Sequence, residues 1–296
     1  MPSSESTRAG YMFVLLAAII WSSIGILSRL PISHGITPLE IGFWRAAIGG
    51  TLFIIHALAT AQHRIKPADA LRMTLFGLAC VGLFFPIYAL SVQKGGAAQA
   101  AVLLYTAPFW VVVAARIFFK ESLTIAKLAA LVIAAAGVAL LCLSGGGIPQ
   151  DSDIEGVLYG LASGLLFSGH FLFSKVNLER FSAVTIYMYG LCTGALFMLP
   201  LVDFQPKGTD DWVCLFGIGA ICTYLGYVIY CAGLRRLDAG KTAILCNLEP
   251  VLATIMAVLI WDEMFSLLGW LGASMVLVAV FLVILDKQKT QQKSQQ

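Results

Sequence analysis

The chain is 296 residues long, 59% hydrophobic and only 12% charged, with a mean hydropathy of +0.87. A soluble domain of that length cannot bury so much apolar surface, so the composition excludes a soluble protein and points to a membrane protein. The formal net charge of +3 comes from Lys and Arg scattered at the ends of apolar runs, without interleaved aromatic stacking positions, and gives no footing for a nucleic-acid partner.

Crossing a bilayer as a helix takes about 20 mostly apolar residues, and runs of that length recur between short polar breaks. They predict an all-α integral membrane protein with ten spans: residues 11–30, 38–60, 71–92, 97–118, 125–143, 156–175, 183–201, 212–232, 241–260 and 266–285. The runs do not alternate as barrel strands would. The first lacks a cleavage site followed by a hydrophilic chain, and reads as a retained helix rather than a signal peptide. Of the 19 Lys and Arg, 15 fall on segments sharing a side with the N-terminus, among them Arg64, Lys66, Arg116, Lys120, Arg235 and Lys241. Arg29, Lys94 and Lys207 fall on the other side, and Arg45 falls inside a span. That bias places both termini, including the polar tail after residue 285, in the cytoplasm of a cell whose inner (plasma) membrane holds the protein.

The seven cysteines form no CxxC pair and sit in or beside apolar runs, so they read as small hydrophobes and not as disulfides or metal ligands. The four histidines are dispersed, and no hydrolase, zinc-protease or Walker-type signature is present. An enzyme is not expected, nor a cofactor or a metal.

The glycine-rich break from Ser144 to Glu155 separates two stretches of five spans, residues 1–147 and 148–296. Shifted by 142 positions, Pro108 falls on Pro250, Tyr88 on Tyr230, Ala97 on Ala239, Leu103 on Leu245 and Glu121 on Glu263. A shift of 146 sets WSSIGILSR on FSGHFLFSK, pairing Trp21 with Phe167 and Arg29 with Lys175. The halves read as duplicates. With five spans each, the second copy enters the membrane from the opposite side, and inverted repeats are the signature of alternating-access transporters with a site near the midplane.

The stretches YALSVQKGGAAQAAVLLYTAPFWVVVAARIFFKE and YCAGLRRLDAGKTAILCNLEPVLATIMAVLIWDE resemble the paired central motifs of the drug/metabolite transporter superfamily, in its EamA-like branch. IIWSSIG of the first span, FWRAAIGG of the second and the five-plus-five layout extend the resemblance over nearly the whole chain. It implies export of amino acids or other small metabolites by alternating access, without ATP hydrolysis. One departure is WDE, standing where the second repeat of such proteins commonly ends in Gly-Glu. A sugar-nucleotide or phosphorylated-metabolite antiporter of the same superfamily is the alternative, though Arg45 alone is thin for a phosphate. A non-transporting membrane scaffold or receptor is a third reading.

Within this frame the polar residues at depth are the candidates. Glu249 lies eight residues beyond Lys241, about 12 Å by helical rise, where a carboxylate costs on the order of 2.5–3.5 kcal/mol unless it faces a polar cavity or a partner. It is a candidate for substrate binding and for proton coupling, or else it fixes a kink. Asn247 is a further hydrogen-bonding candidate. Pro108 and Pro250 break their spans and free the carbonyls of Leu104 and Cys246. Arg45, about 10 Å past Pro38, can meet a substrate carboxylate, pair with Glu40, or snorkel. His170 is a second coupling candidate or a packing histidine. Phe85 and Tyr88, repeated as Tyr227 and Tyr230, share helix faces at i, i+3 spacing. With Tyr224, Tyr105, Trp21 and Phe167 they can wall a site for an apolar or aromatic group. The stripes Gly156, Gly160, Gly164 and Gly190, Gly194 allow close helix packing, inside the fold or on the face of a homo-oligomer. Gly95 and Gly96 mark a tight turn.

Overall fold

The computed structural model describes residues 4–144, 154–261 and 266–286, and these are helical throughout apart from short connections. Thirteen α-helices follow in chain order: α1 (Ser4–Ser33), α2 (Pro38–Ala59), α3 (Pro67–Gly77), α4 (Phe84–Leu104), α5 (Ala107–Phe118), α6 (Ile125–Ser144), α7 (Ile154–Asn177), α8 (Ala183–Met198), α9 (Thr209–Gly217), α10 (Gly226–Leu234), α11 (Ala239–Cys246), α12 (Leu248–Trp261) and α13 (Leu267–Leu285). The expected boundary at 147/148 lies outside the described residues, as does Glu263.

Local chemistry sets the helix starts. Thr37 caps α2 by accepting the Glu40 N–H, with Pro38 in the first turn where its missing donor is not needed. Ser182 and Ser266 cap α8 and α13 in the same way. Apolar side chains then cover the outside. Ile117, Phe118, Leu259 and Phe281 are all more than half exposed, as a surface bathed in lipid requires and a water-facing one does not tolerate.

Nine segments among the described residues are long and apolar enough to cross a membrane, against the ten expected, because residues 67–118 run together as one 52-residue helical segment. That segment is not straight. Gly96, at φ 78° and ψ 162°, takes a backbone conformation that side-chain-bearing residues rarely adopt, and turns the chain inside α4. A second break follows at Tyr105 and Thr106, and the matching break in the other repeat falls at Asn247. Pro108 and Pro250 therefore do not interrupt the middle of a helix. Each stands in the first turn of a new one, α5 or α12, where no amide donor is called for.

The third span of each repeat carries a feature absent from the expectations, a π-helical stretch at Leu78–Leu83 and another at Ile218–Leu225. The two are about 142 residues apart, the spacing of the duplication. Packing crosses the repeats: α1 lies against α10 and α12, α7 lies against α4 and α5, α2 pairs with α8, and α6 pairs with α13. The glycine stripes serve these internal contacts. A Cβ on Gly160 or Gly164 would come within 2.6 Å of Leu103 or Thr106, and one on Gly194 within 2.3 Å of Val81. Packing within the chain is thus one use these glycines serve.

Candidate functional site

A cavity of about 270 Å³ lies where the repeats meet. The spans converge on it because each presents one face: Trp21, Ser28 and Ile32 on α1, Pro38 and Arg45 on α2, Phe84, Phe85, Tyr88 and Tyr105 on α4 and its end, Phe167, His170 and Phe171 on α7, Tyr227 and Tyr230 on α10, and Glu249 on α12. The lining runs along α1 as far as Ile32 and reaches Pro38, so the cavity extends toward the α1–α2 corner.

Seven of the eight candidate binding residues are brought together here: Glu249, Tyr88, Tyr227, Tyr105, Trp21, Phe167 and Arg45, joined by the coupling candidate His170. Asn247 is not among them. It terminates α11, its backbone N–H returning to Ile244, and its side chain is buried away from the cavity. Tyr224 also turns elsewhere, its hydroxyl 2.8 Å from His56 Nδ1. Arg45 does not pair with Glu40, because Glu40 is occupied by the Lys207 ammonium, the Gln205 amide and the Trp44 indole.

The polar groups are held by the π-helical stretches. Widening a turn leaves carbonyls without their usual partners, and side chains from the other repeat fill them. The Trp21 indole donates to the Cys222 carbonyl at 2.8 Å, an approach that Gly226 permits, since a Cβ there would sit 2.7 Å from the indole nitrogen. His170 Nε2 lies 2.8 Å from the Cys80 carbonyl, which can only accept, so that nitrogen carries a proton. Cys80 and Cys222 are 142 residues apart: both π-helical stretches are closed by a cavity-lining ring at the corresponding carbonyl. Arg45 Nε donates to Thr223 Oγ1 at 3.0 Å, and Thr223 donates onward to Ile218.

Several lining groups are left with capacity to bind, Glu249 and Tyr230 among them. Among the described residues the Glu249 carboxyl has neither a hydrogen bond nor an ion pair; it stands in the first turn of α12, where a negative charge is favoured. The Tyr230 hydroxyl is buried at the cavity with no partner among the described residues. The walls are aromatic. Trp21 meets Tyr227 and Tyr230 at ring separations of 5.7 and 5.3 Å, and His170 stacks on Tyr227 at 5.6 Å and 3°. The cavity thus offers one fixed cation, one carboxyl group, tyrosine hydroxyls and π-faces.

Thr223, Ser28, Phe84 and the π-helical stretches were not anticipated. The one signal for the stretches was the Cys80–Cys222 spacing, which matches the repeat but carries no helix-type information by itself.

Helices crossing a membrane several times around an internal cavity built from two repeats define a membrane transporter. The EamA-like transporter family model matches residues 8–143 and again residues 154–285. The chain belongs to that family, within the drug/metabolite transporter superfamily. It is 27% identical to the uncharacterized transporter YwfM of Bacillus subtilis, over 94% of this chain and 95% of that one. It is 23% identical to the uncharacterized inner membrane transporter YicL of Salmonella typhimurium, over 96% and 98%. A probable terminal-alkyne amino-acid exporter of Streptantibioticus cattleyicolor is 22% identical over 91% of each chain. A solved protein crystal structure superposes with a TM-score of 0.81 at 20% identity, covering 96% of this chain and 99% of that one, and shares the fold.

Proposed function

We propose that the protein is a secondary transporter exporting amino acids or similar small metabolites, aromatic and other apolar side chains included, through the cavity between its repeats. The observation that carries this reading is that Arg45 and Glu249 line one aromatic-walled cavity. Arg45 meets the substrate carboxylate, Glu249 the ammonium, and Trp21, Tyr88, Tyr227 and Phe167 the side chain. A fixed cation and a carboxyl group in one small space match a zwitterion. A phosphorylated substrate would need more than one cation, and among the described residues Arg45 is the only Lys or Arg on the lining.

The chain crosses the membrane ten times in this reading. A straight 52-residue helix would be about 78 Å long, more than twice the hydrocarbon thickness, so residues 67–118 cross twice and turn at Gly96. Five spans per repeat then invert the second copy, both termini lie in the cytoplasm, and the protein resides in the inner membrane. Glu249, left without a partner, also takes up and releases the coupling proton. His170 is the second coupling candidate, with Nε2 donating to the Cys80 carbonyl and Nδ1, 3.4 Å from the Tyr187 hydroxyl, as the nitrogen that would take up the proton.

The test is flux: purified protein in liposomes preloaded with mixed amino acids, with and without a pH gradient. Release of a defined subset, accelerated by the gradient in the wild type and not in Glu249→Gln, is expected. Gradient-driven release that Glu249→Gln leaves untouched would remove Glu249 from the site.

A further inference from the structure

The two faces of the molecule are not in the same condition. On the face where α1 begins, Gly10 lies against Arg236 and Leu237 of the α10–α11 corner. There the Lys175 ammonium, near the end of α7, donates to the carbonyls of Leu234 at 2.9 Å and Leu237 at 2.6 Å. Arg235 donates back to Phe181 at 2.9 Å. The carboxylate of Glu121 accepts the first two amides of α11, from Ala239 at 2.7 Å and Gly240 at 3.2 Å. Lys127, 1% exposed, sits 3.5 Å from Glu121 and 3.6 Å from Asp238. The corner is thus tied to the end of α7 on one side and to the α5–α6 connection on the other, and that face is shut.

Toward the opposite face the cavity runs between α1 and α4. Ser28 and Ile32 of α1 line it from one side, Ala101 and Leu104 of α4 from the other. The repeat correspondence says what would close it. Lys175 corresponds to Arg29 at the end of α1, by the 146-residue shift. Leu234 and Leu237 correspond, by the 142-residue shift, to Val92 and Gly95, just before the turn at Gly96.

We propose that Lys175 and Arg29 are two alternating clamps: Lys175 holds the α10–α11 corner shut in the state seen here, and Arg29 donates to the Val92 and Gly95 carbonyls when the other face closes. The inference rests on the alternating-access reading, and adds which residues hold each closed state. A carbonyl pair suits this task, because it accepts a cation's hydrogen bonds in a contact that has to form and release.

Hydrogen exchange on the full chain in liposomes tests it. In Lys175→Met, amides of residues 231–242 should exchange about tenfold faster, while those of residues 89–99 slow as the opposite face closes more often. Arg29→Met should do the reverse, slowing exchange at 231–242, and Lys175→Arg should behave as wild type. A faster corner without the reciprocal slowing at 89–99 would mean that Lys175 only stabilises the fold. If Lys175→Met fails to fold, Arg29→Met decides alone: unchanged exchange at 231–242 overturns the proposal. Flux by the wild type separates the two ideas. Its absence removes the transport reading, whereas normal flux with an exchange balance insensitive to both substitutions removes only the clamps.

Discussion

The two broken spans share a backbone design and differ in what they show the cavity. In the first repeat the break falls at Tyr105, and Tyr105 lines the cavity. In the second it falls at the equivalent Asn247, which is buried elsewhere, and the next turn delivers Glu249 where the first repeat has Ala107. The breaks, the prolines behind them and the π-helical stretches are held in common. The carboxyl group, Arg45 and His170 are not: each occurs in one copy. Duplication supplies the scaffold, and the departures from it supply the charged groups of the cavity.

The largest expected effect tests the most unequal pair, Glu249 against Ala107. Replacing Glu249 with Ala removes one charge-assisted hydrogen bond to the substrate, about 1.5–3 kcal/mol, so affinity should fall by roughly 10- to 100-fold in a direct binding assay. Arg45→Met should cost a comparable factor, and the double variant roughly the product of the two, since each holds a different end of one zwitterion. Thr223→Val leaves Arg45 in place but without its 3.0 Å anchor; about 1 kcal/mol, or some fivefold in affinity, is expected, with the fold intact. Trp21→Phe keeps the aromatic wall and removes the donor to Cys222, costing about 1 kcal/mol of stability, read as a lowered melting temperature of the detergent-solubilised protein. Asn247→Ala should change affinity by less than about twofold, since its side chain does not reach the cavity. A loss as large as that of Glu249→Ala would undo the contrast between the two breaks.

Much of this could be read from residue order alone. Hydropathy marked the spans, because lipid imposes a run length that no other solvent does. A charge at membrane depth marked Glu249 and Arg45, because only a cavity or a partner makes such a position tolerable. Three things escaped. The π-helical stretches leave no composition signal; one residue of extra winding is decided by packing against the neighbouring helix. Asn247 was a hydrogen-bonding candidate because it shares the stretch with Glu249, but a cap residue at a break points wherever the two helix axes leave room. Pro108 and Pro250 were expected to break their spans, yet they begin helices instead of bending them, and a sequence does not distinguish those uses without the position of the preceding break. The joined helical segment at 67–118 shows the converse: a length of 52 residues says nothing of its path until Gly96 is seen at φ 78°.

The central claim is that one cavity reads both charges of a small zwitterion. The most direct measurement compares binding, by purified protein in nanodiscs, of an apolar amino acid, its decarboxylated amine and its deaminated acid. Binding of the amino acid, with each analogue weaker by about tenfold or more, and with Glu249→Gln abolishing only the preference over the acid, is the predicted result. An amine or an acid that binds as well as the amino acid, or an amino acid that does not bind at all, would contradict it.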